Sequence, residues 1–337
     1  MKQIRNLFAA LIVVATTAIA CEKETLQPQN PQHNTEVDYS PPQSNIIHLR
    51  SGSSVNTQTV TFTNASGLTL SARLVTPNNI QPNEKLPAMV ILHGCGGMWS
   101  NDNPANGMKN NFNEWASEFS ARRIVALFID SYVPRNLVEF CEKNPTNDTI
   151  CSPAYERTKD PYAGLAYLKT LSYVDGSRIG MMGFSHGGST ALSAIVDAPY
   201  VTKSLWTVSY KIDSTTTFKD TVSAPVAKPT TGGFKTAIAY YPGAGFFGYY
   251  GSTTDYKVGK YRNYAPTLIL GAAKDPLLPA TRVLKDKAVY HNGQTIELVE
   301  YANANHSFDE ATTSGTDDFT AKEAARTKVW SWLTTNL

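Results

Sequence analysis

The run LPAMVILHG at residues 86–94 is apolar at nearly every position and stops on a glycine. A strand with one wet face alternates apolar and polar side chains. A continuous apolar run belongs instead to a strand covered on both faces, which is the habit of parallel sheets. The same signature recurs in IVALFIDS (124–131), RIGMMGFS (178–185), TAIAYYPG (236–243) and APTLILGAAKD (265–275). Between these runs lie stretches with helical spacing: NFNEWASEFSARR, DPYAGLAYLKTL, GGSTALSAIVDA, PATRVLKDKAVY and the closing AKEAARTKVWSWLTTNL. Asp160 is the expected N-cap of the second, with Pro161 at its first helical position. TIELVEYANANH supplies a last strand. Ahead of them all, TQTVTFTN and LTLSARLVTP flank ASG and predict a β-hairpin. Strands alternating with helices predict an α/β fold, a mostly parallel central sheet flanked by helices on both faces, with an N-terminal β-hairpin. In such sheets ligand sites lie beyond the C-terminal ends of the strands. Functional residues should therefore stand just after strands.

The N-terminus predicts export. MKQIRN is a positive region, LFAALIVV a short apolar core, and ATTAIAC ends in small residues before Cys21. The pattern resembles the lipobox of bacterial lipoproteins, in which such a cysteine is lipidated. The alternative is an ordinary secretory signal cleaved near Ala20. Residues 22–48, rich in Gln, Asn and Pro, are the expected disordered tether, and 49–337 the folded domain. With Lys2 and Arg5 removed, 28 basic residues of the original 30 face 28 acidic ones. That balance, without a basic run, argues against nucleic-acid binding and leaves Cys21 as the membrane contact. Three cysteines remain. Cys141 and Cys151 are close in a polar loop and are the expected disulfide, which leaves Cys95 free. Pairing of Cys95 with either stays open.

Ser185 stands between the strand RIGMMGF and a helix, in GFSHGG. Gly183 and Gly187 would permit a sharp strand–turn–helix elbow that projects the hydroxyl. A neutral serine needs a base. Of six histidines, only His306 both follows a strand and lies after the serine. Asp275, directly after the strand APTLILGAAK, is the expected acid, ahead of Asp309 and Asp255. The chain order serine, aspartate, histidine is that of α/β-hydrolases. Backbone N–H groups of His186, next to the serine, and of Cys95, in HGCGGMW, are the expected oxyanion donors, with Gly96 the neighbour should the register slip. No metal, phosphate-cradling or dinucleotide motif is present, so no cofactor is expected.

These pieces together resemble the dienelactone hydrolase family. VILHGCGG, FIDSYVPR, DPYAGLAYL, RIGMMGFSHGG, KDPLLPA and YANANHSFD run in family order across most of residues 86–309. The resemblance assigns the triad to Ser185, Asp275 and His306. It also marks departures. The namesake enzymes use a cysteine nucleophile, a glutamate where this chain has CGG, and two arginines for a substrate carboxylate. Arg135 corresponds to one of these, or else pairs with Asp130. Asp309 and Glu310 stand where the second would be, which argues against a dienelactone substrate. Residues 200–234 form a long insertion. Its Trp206 and Tyr210, with Trp99 and FFGYYG at 246–251, are expected either as an aromatic substrate wall or lid, or as a surface hairpin. The expected activity is hydrolysis of carboxylic esters, on a small-molecule or glycan-linked substrate, through an acyl-enzyme. The alternatives are a lactonase or peptidase on the same triad, and a non-catalytic binding lipoprotein. The absence of a propeller such as prolyl-peptidase relatives carry disfavours the peptidase.

Overall fold

The computed structural model describes residues 55–141, 151–201, 205–211, 217–223, 225–243 and 247–337. Cys21 and the 22–48 segment lie outside them. Among the described residues, ten strands and five longer helices follow in the order β1 (Asn56–Thr63), β2 (Thr69–Thr76), β3 (Leu86–Leu92), α1 (Asn110–Ala121), β4 (Val125–Asp130), α2 (Lys159–Thr170), β5 (Val174–Phe184), α3 (His186–Ala194), β6 (Leu205–Lys211), β7 (Thr217–Ser223), β8 (Ala237–Tyr240), β9 (Thr267–Ala272), α4 (Leu278–Tyr290), β10 (Ile296–Tyr301) and α5 (Asp317–Asn336).

Eight strands form one sheet, in the order β1-β2-β4-β3-β5-β8-β9-β10. β1 and β2 pair antiparallel as the predicted hairpin, from Asn56 opposite Thr76 to Thr63 opposite Thr69. β2 joins β4 antiparallel, and every later pairing is parallel. The parallel strands β3, β4, β8 and β9 are almost wholly buried, as continuous apolar runs require.

Alternation within each strand divides the core into two layers. Met89, Ile91, Phe128 and Met182 face one side and pack with Phe112, Trp115 and Phe119 of α1 and with Val329 and Leu333 of α5. Val90, Leu92, Leu127 and Met181 face the other and pack with Leu165 and Leu168 of α2 and Ala191 and Ala194 of α3. A third cluster joins Leu192 to Leu284 and Ala288 of α4. The sheet is thus covered on both faces.

One local expectation is corrected. Asp160 is not an N-cap. α2 begins at Lys159, two residues before the expected Pro161, and the buried Asp160 carboxylate accepts from Asn64 Nδ2 (2.8 Å) and from both terminal nitrogens of Arg135 (2.8 and 2.9 Å). A buried carboxylate needs a cation and hydrogen bonds more than a helix end needs a cap. Within the 200–234 insertion, β6 and β7 form a separate antiparallel hairpin, Leu205 opposite Ser223. Residues 202–204, 212–216 and 224 are outside the described residues.

Candidate active site

Ser185 lies between the last residue of β5 and the first of α3, with φ 50° and ψ −113°. That left-handed backbone is uncommon for a residue with a Cβ and marks strain at this turn. The glycines around it are steric necessities. A Cβ on Gly183 would fall 2.1 Å from the carbonyl oxygen of Gly187, and one on Gly187 would fall 2.2 Å from that of Leu92. The Ser185 N–H donates to the Tyr240 carbonyl on β8 (2.9 Å), which fixes the elbow against the sheet.

The structure brings the three expected residues together. His306 Nε2 is 2.8 Å from Ser185 Oγ, and its Nδ1 is 2.6 Å from Asp275 Oδ2. A carboxylate only accepts, so Nδ1 carries the proton and Nε2 is free to accept from the serine hydroxyl. The other Asp275 oxygen accepts from the Leu277 N–H (2.9 Å), and the carboxylate is buried. The Tyr241 ring stands 4.8 Å from the imidazole, centroid to centroid. Ser185 and His306 open into a cavity of about 210 Å³, whose walls include Cys95, Gly96, Lys109, Cys141, Tyr241 and Glu310. A somewhat larger cavity of about 270 Å³, beside Thr57 and Arg73, contains no nucleophile–base pair.

The glycine-rich loop after β3 approaches the serine closely. A Cβ on Gly94 would lie 3.6 Å from that of Ser185. Three successive carbonyls are held. Gly94 O accepts from Gly97 N (3.3 Å) and His93 Nδ1 (2.7 Å), Cys95 O from Phe140 N (2.7 Å), and Gly96 O from Lys109 Nζ (2.6 Å). The N–H groups of Cys95, Gly96 and His186 have no such partner among the described residues. A loop with its carbonyls anchored and its N–H groups unpaired presents donors to whatever enters the cavity.

Corrections concern the surroundings. The disulfide joins Cys95 to Cys141, with Cα atoms 4.8 Å apart, while Cys151 is a buried thiol pushed up to about 12 by burial. Proximity in sequence misled here, because residues 137–141 fold back over the HGCGG loop. Arg135 does not line the cavity and does not pair with Asp130; it is buried against Asp160. Asp130 instead accepts from the indole of Trp99 (2.7 Å), so Trp99 is buried and not a wall. Trp206 lies on β6, and its side chain is outside those described. The acids after His306 diverge. Asp309 is buried, accepts from Asn111 Nδ2 (3.0 Å), and its carboxyl is pushed up to about 7 by desolvation. Glu310 alone borders the cavity.

Three residues near the site carried no sequence signal: Lys109, Tyr241 and Arg157. None belongs to a motif, and each reaches the site only through tertiary folding.

Residues 154–335, just over half of the chain, match the prolyl oligopeptidase family model, and residues 70–228 match the dienelactone hydrolase family model. The chain belongs to the prolyl oligopeptidase family. The chain is 32% identical over 148 residues to the uncharacterized protein YcjY of Escherichia coli strain K12, a match covering 41% of each chain. It therefore spans about two fifths of that relative's length. A putative dienelactone hydrolase from Klebsiella pneumoniae shares the fold with a TM-score of 0.54 at 16% identity, over 81% of this chain and 97% of that structure. An acetyl xylan esterase from Paenibacillus sp. R4 gives a TM-score of 0.52 at 18% identity, over 88% of each. At such identities the likeness concerns fold alone.

Proposed function

We propose that this hydrolase cleaves carboxylic esters through an acyl-enzyme on Ser185. One observation carries the reading: an unbroken hydrogen-bond run from Asp275 through His306 to Ser185 on the floor of a cavity. His306 Nε2 takes the hydroxyl proton as Ser185 Oγ attacks the ester carbonyl. Asp275 keeps the imidazole in its tautomer and stabilises the imidazolium. The N–H groups of Cys95 and His186 receive the developing oxyanion, with Gly96 beside them. His306 then protonates the departing alcohol, and deprotonates the water that releases the acid.

The acyl group would lie between the Cys95 loop and Tyr241. The esterase among the structural neighbours agrees with an ester substrate. Glu310 at the rim disfavours one that presents its own carboxylate there. A fluorophosphonate probe tests the nucleophile: wild type should label and Ser185→Ala should not, whereas an unlabelled, folded wild type refutes the reading in favour of a binding protein. Short-chain p-nitrophenyl esters should be turned over faster than lactones or aminoacyl amides. The prolyl oligopeptidase match favours a second reading, peptide hydrolysis on the same triad. A clear preference for amides would decide for it.

We further propose that the chain is exported and held by a lipidated Cys21. The Cys95–Cys141 disulfide suits an oxidising compartment. No helix among the described residues is long and apolar enough to cross a membrane. Metabolic labelling with an alkyne fatty acid should mark wild type and not Cys21→Ala.

A further inference from the structure

Behind the loop and the elbow lies a charged group that the proposed reaction does not use. Arg157, six residues after Cys151, is fully buried. Its Nη1 donates to His186 Nδ1 (2.5 Å) and its Nη2 to the carbonyl oxygen of His93 (2.8 Å), while its guanidinium stacks over the Tyr132 ring. The guanidinium thus fastens together the two segments whose N–H groups face the cavity: His93 precedes Gly94 and Cys95, and His186 follows Ser185.

Both histidines are neutral there. Arginine only donates, so His186 Nδ1 must accept and its proton sits on Nε2. His93 Nε2 accepts from the Ser131 N–H (3.1 Å), which leaves its proton on Nδ1, where it donates to the Gly94 carbonyl. The 3.3 Å approach of Arg157 Nη2 to His93 Nδ1 is therefore a meeting of two donors and not a bond. Burial first, and the Arg157 charge second, hold both imidazoles well below the usual histidine range.

No carboxylate among the described residues cancels the guanidinium: none forms an ion pair with Arg157, in contrast to Arg135, which takes the nearby Asp160. Its Nε, His186 Nε2 and Tyr132 Oη are also buried without partners. A buried cation with only neutral acceptors is costly to fold. A neutral side chain could brace the same two segments without that cost. The positive charge is the part that bracing leaves unexplained.

We propose that Arg157 is a positioning residue with an electrostatic role: it locks the Cys95 and His186 donors in register and supplies, from behind them, the positive field that favours a tetrahedral oxyanion over the neutral ester. This rests on the esterase reading above. The field acts through a dry interior and needs no contact with substrate. It favours the transition state over the ground state, so it raises kcat and leaves KM nearly unchanged.

Two substitutions separate charge from shape. Arg157→Gln keeps an amide donor for the His93 carbonyl and removes the charge, while Arg157→Lys keeps the charge and loses the planar fork. On a short-chain p-nitrophenyl ester, Arg157→Gln should lose about 10- to 100-fold in kcat with KM within about threefold. Its affinity for an alkyl boronic acid, which binds serine as a tetrahedral anion, should fall in parallel. Arg157→Lys should recover most of both, at a similar melting temperature. The proposal fails if Arg157→Gln keeps kcat within about twofold, or if the two variants fall equally. It also fails if boronate affinity is unchanged. Should Arg157→Gln not fold, a wild-type level of kcat and boronate affinity in Arg157→Lys supports the charge role, and a deep loss of both refutes it. Failure of the esterase reading is distinct, because wild type itself would then show neither turnover nor fluorophosphonate labelling.

Discussion

Cys95 and Cys141 are joined by a disulfide that forms part of the wall facing Ser185. Next to it the Phe140 N–H donates to the Cys95 carbonyl, and the Val138 carbonyl abuts Gly97, where a Cβ would come within 2.8 Å. The strap therefore holds the peptide plane that sets the Gly96 N–H. Cys141→Ser should lower kcat several-fold, with a stability loss of about 2–4 kcal/mol. Steady-state kinetics with and without a phosphine reductant check this. Wild type should become like the variant under reduction, and the variant should not respond.

The Asp275 carboxylate fixes which imidazole nitrogen carries the proton. Asp275→Asn would present an amide that can donate to Nδ1 and so favour the tautomer with Nε2 protonated. On the proposed mechanism kcat should fall by about 10³–10⁴. Circular dichroism and melting should change little. A fall under tenfold in esterase assays would count against Asp275 as the orienting acid.

Asp309 makes stability depend on pH. Its carboxyl titrates near 7 in the folded state because it is desolvated, against 3.8 as a free side chain. The folded protein keeps a proton that the unfolded chain has released. This contribution is complete below pH 3.8 and is lost as pH rises through about 7. Asp309→Asn lacks it. Thermal melts should show the variant gaining on wild type from pH 4 to pH 8, by at most about 4 kcal/mol. A constant difference across that range would exclude the effect.

Trp115 anchors one face of the sheet. It is fully buried, stacks on Phe119 at 5.5 Å between centroids and meets Trp330 of α5 at 5.8 Å. Trp115→Ala should destabilise by about 3–5 kcal/mol, measured by urea unfolding. Its effect on kcat at temperatures where the variant is folded should be small.

Much of this was legible because it is local or periodic. The apolar runs at 86–92 and 125–130 announced parallel strands, since both faces of such strands are covered. Gly183 and Gly187 announced the elbow, since no side chain fits beside Leu92 O. Ser185, Asp275 and His306 could be singled out because each follows a strand. What stayed hidden depends on contacts without a period. Asp160 reads as a cap, yet is claimed by Arg135 and Asn64 from distant segments. Cys141 lies ten residues from Cys151 and still pairs with Cys95 across the loop. Arg157 sits in an unremarkable stretch, AYERTKD, and only the fold shows that two histidine-bearing segments close around it.

The backbone of Ser185 has one more consequence. A residue with φ of 50° and ψ of −113° holds its place against its own conformational preference. Glycine relaxes there and alanine does not. Ser185→Gly should therefore melt above both wild type and Ser185→Ala, while being equally inert. In this chain the position that would give it its turnover is also one where selection for robustness alone would choose another letter. Drift toward a sturdier, silent scaffold is a single codon away.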